Sequence, residues 1–236
     1  MREHAGAPPD PGASRARRHF PSLAGAPCAR LDLDAEFRRW SAQQPGLLAG
    51  GGPSPFLDPA VAAGMLSEVH AAAGVAWSFG GYLEDRRHLL SGSYLDATSS
   101  WLHLGVDFNV PEGTPVAAGA PGRVVLVDDD GDRDGGWGRR VFLRRTGGDV
   151  DRVAVFAHLH AVSCRPGDLL AEDRPFAEVG GPPDNGNWYP HLHVQLMATA
   201  DFETMLGERF RELDGYGRPE DLPELATRFP DPLTAW

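Results

Sequence analysis

Two short stretches decide the fold of this chain: WLHLGVDFNV at residues 101–110 and HLHVQLM at residues 191–197. In both stretches apolar residues alternate with polar or small ones, which is the period-two pattern of a β-strand. In the second stretch Leu192, Val194 and Leu196 fall on every other position. One face of this strand should therefore enter a hydrophobic core, while the opposite face carries polar side chains.

The polar residues of these two predicted strands can meet on one face. His103 and Asp107 are four residues apart, with Gly105 leaving room between them, and His191 and His193 are two apart. Each pair should share a strand face, so neighbouring strands would bring two imidazoles and a carboxylate together with one imidazole to spare. These groups are good zinc ligands, and three ligands with an open position form a catalytic site. The alternative is that these are ordinary polar residues on a solvent-exposed face of the sheet. The presence of two such motifs in one chain disfavours this alternative.

Further motifs lie between the two stretches, namely GTPVAA at 113–118, GRVV at 122–125 and AHL at 157–159. Together with HxGxD and HxH, they make residues 101–197 resemble peptidase family M23, the zinc metallopeptidases of the LytM and lysostaphin type. The resemblance implies a mainly β fold. It would be an antiparallel β-sheet domain of the M23 type (duplicated hybrid motif-like) with an open groove.

The resemblance also implies roles for five residues. His103, Asp107 and His193 would hold one Zn²⁺, and His158 and His191 would form the catalytic pair. The implied function is zinc-dependent hydrolysis of peptide amide bonds through a metal-activated water. The implied substrate is a peptide or a peptidoglycan-like polymer, such as a cross-bridge or another glycyl bond.

Four more residues are candidates for substrate binding. Arg86 and Arg87 precede the first motif, where M23 domains often carry an arginine, and a guanidinium fork suits carboxylates and carbonyls. Trp188 and Tyr189 precede HxH and could line the groove. The alternatives are a solvated charged loop for the arginines and packing at the groove's edge for the aromatic residues.

Residues 180–190 depart from the commonest pattern of the family. Wall-lytic members usually have Thr-Gly and small hydroxyl residues before HxH, whereas this chain reads GGPPDNGNWYP. The difference leaves the zinc chemistry intact but puts the cell-wall substrate in doubt. Two alternatives therefore stay open: a metal-dependent amidohydrolase acting on a small intracellular amide, and a non-enzymatic M23-like module that binds and regulates a partner.

Composition excludes some classes of function. The net charge of −11, from 22 basic and 33 acidic residues in 236, argues against nucleic acid as a partner.

Cys28 and Cys164 do not form a disulfide framework, and we expect two free thiols. No apolar run approaches the ~18 residues of a membrane span. No signal core is recognisable either, so we expect a cytoplasmic protein, with export by another route left open.

The rest of the chain flanks the β domain. Residues 1–29 are rich in Pro, Gly, Ala and Arg, which predicts a disordered tail. Residues 30–75 are predicted to form a helical N-terminal extension, with Asp58 and the following proline starting one helix. Residues 76–198 are expected to form the M23-like domain, and residues 199–236 a short C-terminal helix followed by a surface tail.

Overall fold

The chain folds around one large mixed β-sheet, with helices from both ends of the sequence packed against it. The computed structural model describes residues 10–44, 46–47, 51–146, 151–207 and 213–236. Within these ranges no helix is both long enough and apolar enough to cross a bilayer. Both cysteines are free, as predicted.

The elements before the main strands are α1 (Pro11–Ala16), β1 (Cys28–Leu31), α2 (Leu33–Ser41) and α3 (Pro59–Ala73). The side chains of Asp10, Asp32 and Asp58 accept hydrogen bonds from backbone amides of the first helical turns, which caps the three helices. α3 ends at Gly74, whose φ of 66° is left-handed and suits glycine. Short 3₁₀ turns occur at Arg17–His19, Pro21–Leu23, Pro55–Leu57, Tyr94–Ala97 and Pro219–Asp221.

The N-terminal segment differs from the predicted disordered tail. Residues 1–9 lie outside the described residues, but residues 10–29 are folded, and β1 lies at their end. Ala16 and Phe20 are fully buried, and the Phe20 ring lies 5.6 Å from the ring of Trp77. Burying a phenylalanine is worth about 1.5–3 kcal/mol, which helps to order such a segment. The sequence hides this because single apolar residues among Pro, Gly and Arg show no period.

The remaining strands are β2 (Trp77–Gly80), β3 (Leu102–His103), β4 (Val106–Asn109), β5 (Pro115–Ala117), β6 (Gly122–Asp129), β7 (Arg139–Arg145), β8 (Arg152–His160), β9 (Leu169–Leu170), β10 (Pro175–Val179), β11 (Leu192–Ala198) and β12 (Tyr216–Gly217). The sheet order is β1-β2-β4-β11-β8-β7-β6-β9, and β10 pairs with β5 and β8. These pairs are antiparallel except β1 with β2, which is parallel. The predicted fold class, mainly β and mostly antiparallel, is confirmed.

The central strand β11 has the two faces that its sequence predicts. Leu192, Val194 and Leu196 are 0% exposed and pack in one cluster with apolar residues of β4 and β8. Because side chains alternate along a strand, His193 points to the opposite face. β11 lies between β4 and β8, so that face sits in the middle of the sheet.

The first motif is not the single strand that was predicted. β3 ends at His103 and pairs with β12 in a separate two-stranded sheet, whereas β4 begins at Val106 and pairs with β11. Between them the amide of Leu104 donates to the backbone oxygen of Gly215 at 2.9 Å. The pairing of β3 with a distant segment interrupts the strand, so parity along one strand does not explain how His103 reaches Asp107.

The C-terminal elements are α4 (Thr199–Gly207), α5 (Leu222–Arg228) and α6 (Pro232–Ala235). The end of the chain is not the predicted surface tail. Leu233 and Trp236 are buried in the main core, and the Trp236 indole donates to the backbone oxygen of Ala118 at 2.8 Å. Burial of these apolar side chains holds the chain end in place.

Candidate functional site

Three ligand-type side chains meet where β4 lies beside β11, and we call His103, Asp107 and His193 the trio. Asp107 and His193 are directly opposite each other in the antiparallel register. Asp107 Oδ1 lies 2.9 Å from His193 Nδ1 and 3.4 Å from His103 Nε2, and the two nitrogens are 3.0 Å apart. A tetrahedral ion with bonds of about 2.0–2.1 Å places its ligand atoms roughly 3.3 Å apart. The trio is therefore a candidate site for one metal ion.

The outer nitrogens of the two histidines are held by the protein. His103 Nδ1 donates to the backbone oxygen of Gly81 at 2.9 Å, and His193 Nε2 donates to Gln195 Oε1 at 3.2 Å. Partners of this kind orient metal-binding histidines and determine which ring nitrogen carries the proton. The inner nitrogens, His103 Nε2 and His193 Nδ1, are left with lone pairs.

These bonds leave three acceptors facing one another inside the trio. The two bare nitrogens face the carboxylate oxygen of Asp107 within 3.4 Å, and the three residues are only 1–3% exposed. Buried acceptors without a donor cost free energy, and a cation between them removes that cost. The donor set therefore fits a metal ion of the kind that imidazole and carboxylate bind.

Glycine is required at position 105 by the ring of His193. A Cβ on Gly105 would lie 2.5 Å from Cε1 and 2.6 Å from Nε2 of that ring, and 2.7 Å from the backbone oxygen of Val194. Contacts this short force either the ring or the strand to move. The room that Gly105 was expected to leave is thus occupied by the imidazole of His193.

The guanidinium of Arg86 is bound by Asp107 and two other side chains rather than being free to bind a substrate. Its Nη1 is 2.6 Å from Asp107 Oδ2 and 3.3 Å from the Tyr216 hydroxyl oxygen, and its Nη2 is 3.3 Å from Glu84 Oε2. Burial alone would raise the pKa of Asp107, but His103 and Arg86 outweigh it and hold that pKa well below its usual range. Arg86 thus keeps Asp107 ionised and fixes its outer oxygen.

Arg87, the alternative arginine, is a surface residue away from the trio, and its role in substrate binding stays a prediction. It forms an ion pair with Asp85 at 2.5 Å, and its guanidinium lies 5.5 Å from the ring centroid of Trp101. It does not line the cavity beside the trio, whereas Arg86 does. The two neighbouring arginines point apart because Arg86 is drawn to the buried carboxylates.

Two more histidines face the trio. His158 lies near the end of β8 and His191 just before β11, and their ring centroids are 4.4 Å apart. His191 Nε2 is 3.8 Å from Asp107 Oδ1, and the rings of His158 and His193 are 6.1 Å apart. All five residues named from the resemblance therefore lie close together in the structure.

Burial keeps three of these imidazoles, those of His103, His158 and His191, neutral. Burial, together with the charge of Arg86, lowers the pKa of His103 to about 3. Burial also lowers the pKa of His191 and holds that of His158 well below the ordinary value. A neutral imidazole can bind a metal or accept a proton through its bare nitrogen.

A cavity that is partly continuous with solvent opens beside the five residues. Trp188 and Tyr189 both line it, and a contact of either residue with a substrate stays a prediction. Tyr189 stacks on His191 with ring centroids 4.6 Å apart, and Trp188 Nε1 donates to the backbone oxygen of Gly136 at 3.0 Å. The other large wall residues are Phe56, Leu89, Leu90, Tyr94, Trp137 and Tyr216. A concave site lined by apolar and aromatic side chains together with a few polar groups is typical of binding cavities.

Some residues of the site could not be predicted from any pattern in the sequence. Tyr216 reaches the trio because β12 pairs with β3, which brings its ring 5.2 Å from the ring of His103. Phe56 arrives from the N-terminal extension. Gln195 could have been found, because it lies two residues after His193 and therefore on the same strand face.

Comparison with known proteins shows which protein family this part of the chain matches. The family model for peptidase family M23 matches residues 102–203. Over 95 residues the chain is 35% identical to the DD-carboxypeptidase/endopeptidase Mpg of Neisseria meningitidis serogroup B, and equally to that of Neisseria gonorrhoeae. The alignment covers 40% of this chain and 20% of the relative, so the chain spans about a fifth of the relatives' length.

Solved structures with similarity include a zinc containing peptidase from Vibrio cholerae, with 24% identity, a TM-score of 0.38, and coverage of 49% of this chain and 31% of that one. The catalytic domain of lysostaphin from Staphylococcus simulans has 23% identity, a TM-score of 0.36, and coverage of 53% and 80%. LytU has 26% identity, a TM-score of 0.34, and coverage of 41% and 61%. The residues that match the family model include the trio and both further histidines, and this chain therefore contains a domain of peptidase family M23.

Proposed function

We propose that this protein is a zinc-dependent hydrolase that cleaves peptide amide bonds. The observation that carries the proposal is the trio, in which His103 Nε2, His193 Nδ1 and Asp107 Oδ1 converge as three acceptors within 3.4 Å. These are the atoms that would hold the ion. Bound zinc would supply a Lewis acid that lowers the pKa of a water towards ~7 and polarises a carbonyl.

His158 and His191 would handle the proton and the developing charge. Both are buried, neutral and next to the trio, so either can take a proton from the attacking water as its oxygen bonds to the carbonyl carbon. The proton then passes to the leaving amine as the C–N bond breaks. Before it gives this proton to the amine, the protonated imidazole would donate a hydrogen bond to the oxyanion from the nitrogen that carries the proton.

The substrate is proposed to be a peptide or a peptidoglycan-like chain cleaved internally. The membership of residues 102–203 in a peptidase family supports a peptide bond as the target. The Neisseria relatives, whose name describes a DD-carboxypeptidase/endopeptidase, support a peptide of the cell-wall type.

A small amide is the second candidate substrate, favoured by the enclosure of the site. His103, Asp107, His158, His191 and His193 are only 1–6% exposed. Phe56 and Tyr216, which come from outside the segment that matches the family, contribute walls of the cavity. Enclosure of this kind favours a short substrate or a chain end over a polymer that runs through an open groove.

The test measures zinc per chain together with hydrolysis of glycyl peptides, muropeptides and small amides. We expect one zinc per chain in the wild type and loss of zinc in His193→Ala. His158→Ala and His191→Ala should keep the zinc and lose ~10²–10⁴ in turnover, the usual worth of an acid–base group. The substrate class that is turned over distinguishes the two candidates.

His160→Ala is the matched control, because His160 is an exposed imidazole at the end of the strand that carries His158. It should match the wild type in zinc content and in rate. Retention of zinc in His193→Ala with loss in His191→Ala would reverse the assignment within HxH. A wild type that binds no zinc would favour the non-enzymatic binding module.

A further inference from the structure

Both proton-handling histidines donate a hydrogen bond to the same loop, residues 180–190. His158 Nδ1 lies 2.7 Å from the backbone oxygen of Asn185, and His191 Nδ1 lies 2.8 Å from that of Tyr189. A carbonyl oxygen can only accept a hydrogen bond, so Nδ1 carries the proton in both rings. In a neutral imidazole Nε2 then carries a lone pair. The loop thus selects the tautomer of both rings.

The side chain of Asn185 ties this loop together. The residue is 0% exposed. Its Nδ2 donates to the backbone oxygen of Trp188 at 2.8 Å and, through longer contacts of 3.4 Å, to those of Tyr189 and Gly180. Its Oδ1 accepts from the Trp188 amide at 3.1 Å. One amide group therefore links the start of the loop to its end, and it contacts the carbonyl that receives His191.

The backbone of His158 depends on the same loop. Its φ of 63° lies in the left-handed region, which is uncommon for residues other than glycine and persists only where the surroundings hold it. The His158 amide donates to the Trp137 oxygen at 2.9 Å, and its own oxygen accepts from the Gly180 amide at 2.8 Å. Asn185 thus supports His158 twice: its backbone oxygen receives the ring, and its amide contacts Gly180.

We propose that Asn185 is a positioning residue that keeps His158 and His191 in the Nδ1–H tautomer. Both rings then rest as proton acceptors at Nε2, and the Nε2 of His191 lies 3.8 Å from Asp107 Oδ1. A ring becomes a donor at that atom only after it has taken up the water's proton. This inference deepens the proposed function and rests on it for the catalytic consequence, while the tautomers themselves can be tested without activity.

The first experiment reads the tautomers directly. Long-range ¹H–¹⁵N spectra of the nine histidines, recorded on ¹⁵N-labelled full-length protein at pH 7.5 with a chelator, should show both rings as Nδ1–H. His158→Gln and His191→Gln assign the two signals. An Nε2–H tautomer at either ring in the wild type would overturn the proposal, whether or not the protein proves to be a hydrolase.

The second experiment uses Asn185→Asp, which keeps the acceptor for the Trp188 amide but removes the donor to three carbonyl oxygens. We expect mixed tautomers at both rings, unchanged zinc content, and a kcat that falls about tenfold to a hundredfold with KM within twofold. That loss should stay below the ~10²–10⁴ expected from deleting an acid–base group. Asp184→Asn is the matched control, since its carboxylate is 69% exposed in the same loop. A folded Asn185→Asp protein with wild-type tautomers and kcat would refute the role of the side chain.

Discussion

Replacing Arg86 with methionine should strongly destabilise the metal-free protein. The Arg86 side chain is 4% exposed and lies between two carboxylates that are also buried, Asp107 at 2% and Glu84 at 8%. Methionine has a similar length and no charge, so both carboxylates would remain buried without a cation. The same substitution removes the donor that fixes Asp107 Oδ2 at 2.6 Å.

The expected magnitude follows from the burial of the pair. Removing one partner of a buried ion pair typically costs about 3–5 kcal/mol, because the remaining charge is left uncompensated. With a denaturant slope of roughly 2–3 kcal/mol per molar urea, the unfolding midpoint should fall by about 1–2.5 M. Adding Glu84→Gln to Arg86→Met should recover part of the loss, because one of the two stranded charges is then neutral.

The assay is urea unfolding in the presence of a chelator, followed by intrinsic tryptophan fluorescence. The control is Arg87→Met, whose guanidinium is 49% exposed and paired with Asp85 on the surface, so its midpoint should match that of the wild type. Repeating the series with zinc should reduce the difference in unfolding midpoint between Arg86→Met and the wild type, because the positive ion compensates the charge of Asp107. Equal midpoints for Arg86→Met and Arg87→Met would refute the buried pairing.

Three further outcomes are expected. Gly105→Ala, whose Cβ would lie 2.5 Å from the His193 ring, should weaken zinc binding and lower the free energy of unfolding by about 1–3 kcal/mol. The control Gly64→Ala, at an open position of α3, should be neutral or stabilising. Zinc at 100 times its dissociation constant should raise the free energy of unfolding by about 2.7 kcal/mol in the wild type and by far less in His193→Ala, as calorimetry would show. Burial lowers the pKa of His19 to about 4, below its unfolded value of about 6.5, so its contribution to stability is complete above pH 6.5 and is lost as pH falls towards 4. His19→Gln should therefore lose less stability than the wild type over that window, by up to about 1.4 kcal/mol per pH unit, and parallel acid profiles would contradict this.

Features that depend on local physics could be predicted from the sequence alone. The alternation of Leu192, Val194 and Leu196 predicted a strand with one buried face, because successive side chains on a strand point to opposite sides. Asp58 followed by proline predicted the start of α3, because a capping carboxylate and a residue without an amide hydrogen suit the first turn. The ligand-type residues were likewise visible, since each motif carries its own imidazoles or carboxylate within five residues.

The distant segments that complete the site could not be predicted in this way, because they reach it through long-range pairing and packing. Tyr216 lies against His103 because β12 pairs with β3, and Phe20 and Trp236 enter the core from segments predicted to be tails. Isolated apolar residues leave no period in the sequence, and their burial is favourable only once a core exists to receive them. The same reason applies to Asn185. Nothing local in this glycine- and proline-rich loop shows that its backbone oxygen receives His158 and that its buried side-chain amide contacts the carbonyl that receives His191.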